Sequence, residues 1–228
     1  MPRSNPGRKT QSPETQLRPG WPALVICLFL AASVWAVFGQ TLHYGFVSYD
    51  DNIYVYANPV ITQGLSFNGV AWIFTHLTSP EDWLPLTALS HMVDWQFYGP
   101  NAGGHHLTNI LLHMANVLLL FLVLRKMTGT LWRSAFVSAV FAIHPLHVES
   151  VAWVTERKDV LSGLFFMLTL WAYTRYSQKR PKVEGRTSGR SDVWKVAPVR
   201  ALILVAGPLT TVWPWHFSLW ACCPKACW

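Results

Sequence analysis

The chain runs to 228 residues, 51% of them hydrophobic and 13% charged, with 13 tryptophans and a formal net charge of +7. So apolar a composition argues against a soluble domain. The basic excess flanks apolar runs, where anionic headgroups are natural counter-ions, so membrane lipids are the expected partner and nucleic acid is not.

A basic tail, residues 1–20, precedes an apolar run at Trp21–Phe38 that is long enough to cross a bilayer. This run is longer than a typical signal-peptide core, no small-x-small site follows it, and more apolar runs come later, so a retained anchor is expected. Between residues 19 and 124 there is no lysine or arginine, although the chain carries 18. A second run at 107–124 closes that gap, and the intervening loop, 40–105, is charged only by Asp50, Asp51, Glu81, Asp82 and Asp94. The positive-inside rule puts this loop outside and the N-terminus in the cytoplasm. Apolar segments at 134–154, 160–176 and 199–220 follow, with a basic cytoplasmic loop at 177–198. If the spans alternate, 15 of the 18 cations are cytoplasmic, and the exceptions are Arg157, Lys158 and Lys225. The expected fold class is therefore an all-α, polytopic transmembrane bundle of about five spans, a multi-pass integral membrane protein with a long, partly helical first outer loop.

Within that loop Asp50 and Asp51 lie among Phe46, Tyr49, Tyr54 and Tyr56. Partial desolvation would suit such a pair to general-base work or to holding a divalent metal. Asp-Asp-Asn is equally good chemistry for a solvated turn. Segments 65–75 and 83–98 read as amphipathic pieces lying in the membrane interface, the second ended by Gly99-Pro100.

The second apolar run carries His106, Asn109, His113 and Asn116 at helical spacing, hence on one face. Polar groups at membrane depth need partners, so this face should turn into the bundle, for helix–helix hydrogen bonds or, at His106, for substrate. The densest chemistry lies at 143–159, where Pro145 interrupts the third run and His144, His147, Glu149, Glu156, Arg157 and Lys158 follow closely. His144, His147 and Glu149 suggest a divalent metal, although their spacing is not an established ligand pattern. Arg157 and Lys158 stand against the cation bias, and their chemistry matches phosphate as well as ion pairs to Glu156 or Asp159. Cys27, within the first run, reads as a packed thiol, and no CxxC pair with zinc-ribbon spacing occurs.

Four motifs carry a resemblance: Y-D-D-N-x-Y-V from Tyr49, W-L-P-L-T-x-L-S-H-M-x-D from Trp83, G-G-H-H-L-T-N-I-L-L-H-x-x-N from Gly103, and H-P-L-H-V-E-S-V-A-W-V-x-E-R-K-D-V-L-S from His144. Together, over about residues 21–176, the chain resembles the membrane domain of the tetratricopeptide-repeat-linked O-mannosyltransferase-like proteins, a branch of the GT-C superfamily. The resemblance implies a glycosyltransferase that takes a sugar from a polyprenyl- or dolichyl-phosphate carrier and passes it to a protein or glycan acceptor outside the cytoplasm. It implies Asp50 or Asp51 as the base, Arg157 and Lys158 on the donor phosphate, and His106, His144, His147, Glu149 and Glu156 shaping the site. A non-enzymatic membrane scaffold or a transporter is the alternative class. Residues 213–228, with four Trp and three Cys, depart from the family, and no 34-residue repeat follows. A C-terminally truncated member, with an end outside the native frame, is expected.

Overall fold

A computed structural model describes residues 20–76 and 83–179. The N-terminal tail, Glu81 and Asp82, most of the expected cytoplasmic loop and the expected fifth span lie outside the described residues. Among the described residues all regular structure is helical, without a strand.

Helix α1 (Trp21–Phe38) starts with Pro22 in its first turn, where the missing N–H removes no bond. Ala23, Ile26, Leu30, Val34 and Phe38 form its buried face, and Leu24, Val25, Leu28, Phe29 and Trp35 are exposed. A helix apolar all round suits a non-aqueous surrounding or a large core. A 3-10 turn, Gly39–His43, continues it. In the long first loop, Asn52–Tyr56 forms a short π-helical turn, and α2 (Phe67–Thr75) and α3 (Pro85–Tyr98) follow. Ser66 caps α2 by accepting the Gly69 N–H at 3.1 Å. Ile61, Ile73, Ala88 and Met92 give the loop a small core of its own. Burying Ile61, Ile73 and Met92 contributes roughly 1.5–3 kcal/mol each, which accounts for order in a connection of this length.

Helix α4 (Ala102–Thr128) is longer at both ends than the apolar run that announced it. The Asn101 carboxamide accepts the Gly103 N–H at 3.1 Å to start it, and Gly129, at φ 70°, ends it in the left-handed region. A Cβ at Gly103 would meet the Leu42 carbonyl oxygen at 2.5 Å, so this glycine allows α4 to pass close to the 3-10 turn. Helix α5 (Leu131–Ile143) stops one residue before the X-Pro bond, because proline disfavours helical backbone in the residue before it. Helix α6 (His147–Ala152) and helix α7 (Arg157–Lys179) follow. The segment expected as one span at 134–154 is thus two helices broken at Pro145.

Among the described residues two stretches are long and apolar enough to cross a membrane, Trp21–His43 and Ala102–Thr128. At 13 residues α5 rises only about 20 Å, short of a hydrocarbon core of about 30 Å. Helix α4 is the hub, packed against α1, α5 and α7. Its start lies beside the start of α7, where Arg157 Nη2 donates to the His105 carbonyl at 2.8 Å. Its end lies beside the end of α7, where Gln178 Nε2 donates to the Lys126 carbonyl at 3.4 Å. The two helices therefore run parallel, and α5 with α6 makes the return between them.

Candidate active site around a buried charge pair

The polar stripe of α4 turns into the bundle, and its partners explain why. Asn109 Nδ2 donates to the carbonyls of Val151 (3.3 Å) and Trp153 (3.1 Å), His113 Nε2 meets the Ala142 carbonyl at 3.2 Å, and Asn116 Nδ2 donates to the Val160 carbonyl at 2.8 Å. Ala142 and Val151 belong to the last turns of α5 and α6 and Trp153 caps α6, so these carbonyls have no acceptor role within their own helices. The break at Pro145 creates orphan acceptors, and side chains of α4 satisfy them.

Above this stripe the acid pair of the first loop divides. Asp51 is fully buried. One of its oxygens accepts the Val47 N–H at 2.8 Å; the other accepts the Thr155 N–H at 3.0 Å and the Thr155 hydroxyl. The solvated-turn alternative therefore does not describe Asp51, which ties the first loop to the turn before α7. Asp50, half-buried, is held next to it by the chain.

Arg157, expected to face a phosphate, is instead fully buried. Nη1 lies 2.5 Å from Asp94 Oδ2, Nε donates to Asn109 Oδ1 at 2.7 Å, and Nη2 donates to the His105 carbonyl. Asp94 also accepts the Thr108 hydroxyl at 2.8 Å. This guanidinium joins α3, α4 and α7. Lys158 is more open and lies 3.1 Å from Glu156 Oε1. Burial raises the Glu156 pKa above its ordinary value, against the opposing pull of Lys158.

The remaining candidates scatter. His106 is buried, with Tyr44 edge-on to it at 6.4 Å between ring centroids. His147 packs on Phe141 (4.3 Å) and His113 (5.3 Å), while His144 and Glu149 are exposed. Among the described residues the grouping with metal-like spacing is not His144, His147 and Glu149 but His91, Asp94 and His105, whose ligand atoms lie within 4.8 Å of one another. It does not fit a dication, because the Arg157 cation already sits on Asp94, and a second cation there would be buried beside it without a matching anion. Sequence reading missed Asp94, His91 and His105 as a unit. The available signal was an acid beside Val93 in the apolar run of α3, which demands a partner.

Comparison with known proteins adds the next step. The chain is 32% identical over 190 residues to the protein O-mannosyl-transferase Tmtc2 of Drosophila melanogaster, a match covering 80% of this chain and 20% of that protein. It is 31% identical over 143 residues to TMTC2 of Mus musculus (59% and 17%) and 32% identical over 157 residues to TMTC1 of Homo sapiens (64% and 17%), both also protein O-mannosyl-transferases. This chain is related to the Tmtc protein O-mannosyl-transferases. It spans about a fifth of the length of these relatives. No family model matches it, and no solved structure matches it significantly. The resemblance read from the four motifs and the glycosyltransferase character of the relatives agree.

Proposed function

We propose that the chain is a multi-pass membrane glycosyltransferase domain with a cytoplasmic N-terminus and about five spans, moving a sugar from a polyprenyl- or dolichyl-phosphate carrier to an extracytoplasmic protein hydroxyl. The observation that carries this reading is the tie between Asp51 and Thr155. It joins the acid pair of the first loop to the turn that leads into α7 and Lys158, in a chain whose relatives are named O-mannosyl-transferases.

In this reading the two carboxylates have separate roles. Asp51, with both oxygens accepting hydrogen bonds, anchors; Asp50 is the base. Asp50 takes the acceptor hydroxyl proton as that oxygen forms its bond to the anomeric carbon. The bond from that carbon to the phosphate oxygen breaks, and the carrier phosphate leaves with the electron pair. Lys158, oriented by Glu156, meets the charge on the leaving phosphate, while Arg157 holds the turn in position from inside. The test is transfer of labelled mannose from polyprenyl-phosphate-mannose to a threonine peptide in proteoliposomes. Asp50→Asn should lower the rate roughly 10²–10⁴-fold with an unchanged unfolding midpoint. Transfer at the parental rate would remove Asp50 from the chemistry.

A further inference from the structure

His91 is the buried polar group that the reading above leaves unused. It is 1% exposed, and neither ring nitrogen has a hydrogen-bond partner in the protein. It lines a small cleft together with Tyr54, Leu84, Thr87, Ala88 and Thr155. The free space there is about 10 Å³, close to what one water-sized group occupies. Burial first, then Arg157 and His105, hold the imidazole well below its ordinary pKa, so it is neutral, with one N–H donor and one lone pair. A hydroxyl complements whichever of the two faces the cleft, accepting from the N–H or donating to the lone pair. Thr155, also in the lining, is the residue whose hydroxyl bonds Asp51, so the cleft is one side chain away from the acid pair.

We propose that His91, with Thr87 and Thr155, forms a subsite that receives one hydroxyl group of the substrate. The assignment rests on the glycosyl-transfer reading. The hydroxyl has two sources, the sugar of the donor or the side chain of the acceptor. Keeping a buried imidazole without a protein partner lowers stability, a cost expected where a ligand completes the bonds.

The experiment measures binding of methyl α-mannoside and of a capped threonine peptide to the purified full chain by ligand-observed NMR, alongside thermal unfolding. His91→Leu should weaken binding of one probe roughly three- to tenfold, as loss of one neutral hydrogen bond does, with an unchanged or raised unfolding midpoint. His91→Gln, which keeps a donor and an acceptor, should retain most of the affinity. Loss with the mannoside assigns the subsite to the donor sugar, and loss with the peptide assigns it to the acceptor. Undiminished binding in His91→Leu overturns the subsite and leaves the transferase reading intact. A lowered midpoint in His91→Leu that His91→Gln does not restore also overturns it, in favour of a packing role. If the parental chain binds neither probe, the transferase reading and the subsite fall together.

Discussion

Arg157 shows how a residue can be singled out correctly by sequence and still be misread in kind. Its position against the cation bias marks it as unusual, but the reason lies in Asp94 on another helix, and only the fold selects that partner. A guanidinium with no exposed surface is tolerable because Asp94, Asn109 and the His105 carbonyl receive its N–H groups. Arg157→Ala should therefore destabilise the chain by about 3–5 kcal/mol, since it leaves Asp94 buried and unpaired. The double variant Asp94→Leu/Arg157→Met should recover most of that loss in denaturant unfolding, because an apolar pair of similar volume carries no desolvation cost. A double variant as unstable as the single one would show that the network is worth more than its charge pairing. His91, beside the same network, gives a pH signature. Its folded pKa is depressed below the ordinary 6.5, by burial first and then by Arg157 and His105. The unfolded chain therefore binds a proton that the folded chain refuses. Stability from this group is present above about 6.5 and falls as pH drops through the folded value. Unfolding midpoints from pH 8 downward should fall less steeply in His91→Leu than in the parent, and identical slopes would refute the assignment.

At the scale of elements, the helices were largely legible because apolar runs and terminators are local signals. The run Trp21–Phe38 coincides with α1, and Gly99 and Gly129 end α3 and α4. Pro145 was recognised as an interruption, yet its effect on α5 was underestimated. Hydropathy continues across the proline, whereas backbone sterics do not. The inward turn of the α4 stripe was legible too, since burial of polar groups demands partners, but its purpose was not. Its acceptors are backbone carbonyls, which carry no signature in side-chain sequence. The candidate site was less legible still, because Thr155, His91 and Asp94 have meaning only through contacts distant in the chain. Asn116 offers the sharpest test of the stripe, with its carboxamide nitrogen 2.8 Å from the Val160 carbonyl. Asn116→Ala should cost about 1–2 kcal/mol through the lost bond and the acceptor left behind. Thr169, whose hydroxyl only bonds back to the Phe165 carbonyl in its own helix, should tolerate alanine within about 0.5 kcal/mol. Equal effects at the two positions would mean that the Asn116 bond adds nothing to the hold of α4 on α7.

For the whole molecule, the arrangement of helix ends and the distribution of charge lead to one test. Arg157 ties the start of α7 to the start of α4, and Gln178 ties its end to the end of α4, so both helices cover the same height in the same direction. The return from Thr128 to Arg157 must then cover that height as well, although α5 alone is too short to do so. It succeeds in two pieces, with α5 reaching the level of His113 and α6 the level of Asn109, where their final carbonyls are capped. On the proposed multi-pass reading the chain alternates from α1 onward, which puts the cation-free loop on one side and the end of α7 on the other. The positive-inside rule assigns the basic side to the cytoplasm. Single cysteines at Gln63 and Asn68 in the first loop, at Ser177 in the last turn of α7 and at Gly185 beyond it should separate the two sides in a chain whose four native cysteines have been replaced. In sealed, right-side-out vesicles an impermeant thiol reagent should label the first two and reach the second two only after permeabilisation. Labelling of Ser177 and Gly185 in sealed vesicles would mean that α5 and α6 turn back without crossing, and the pairing of charge with side would have to be redrawn.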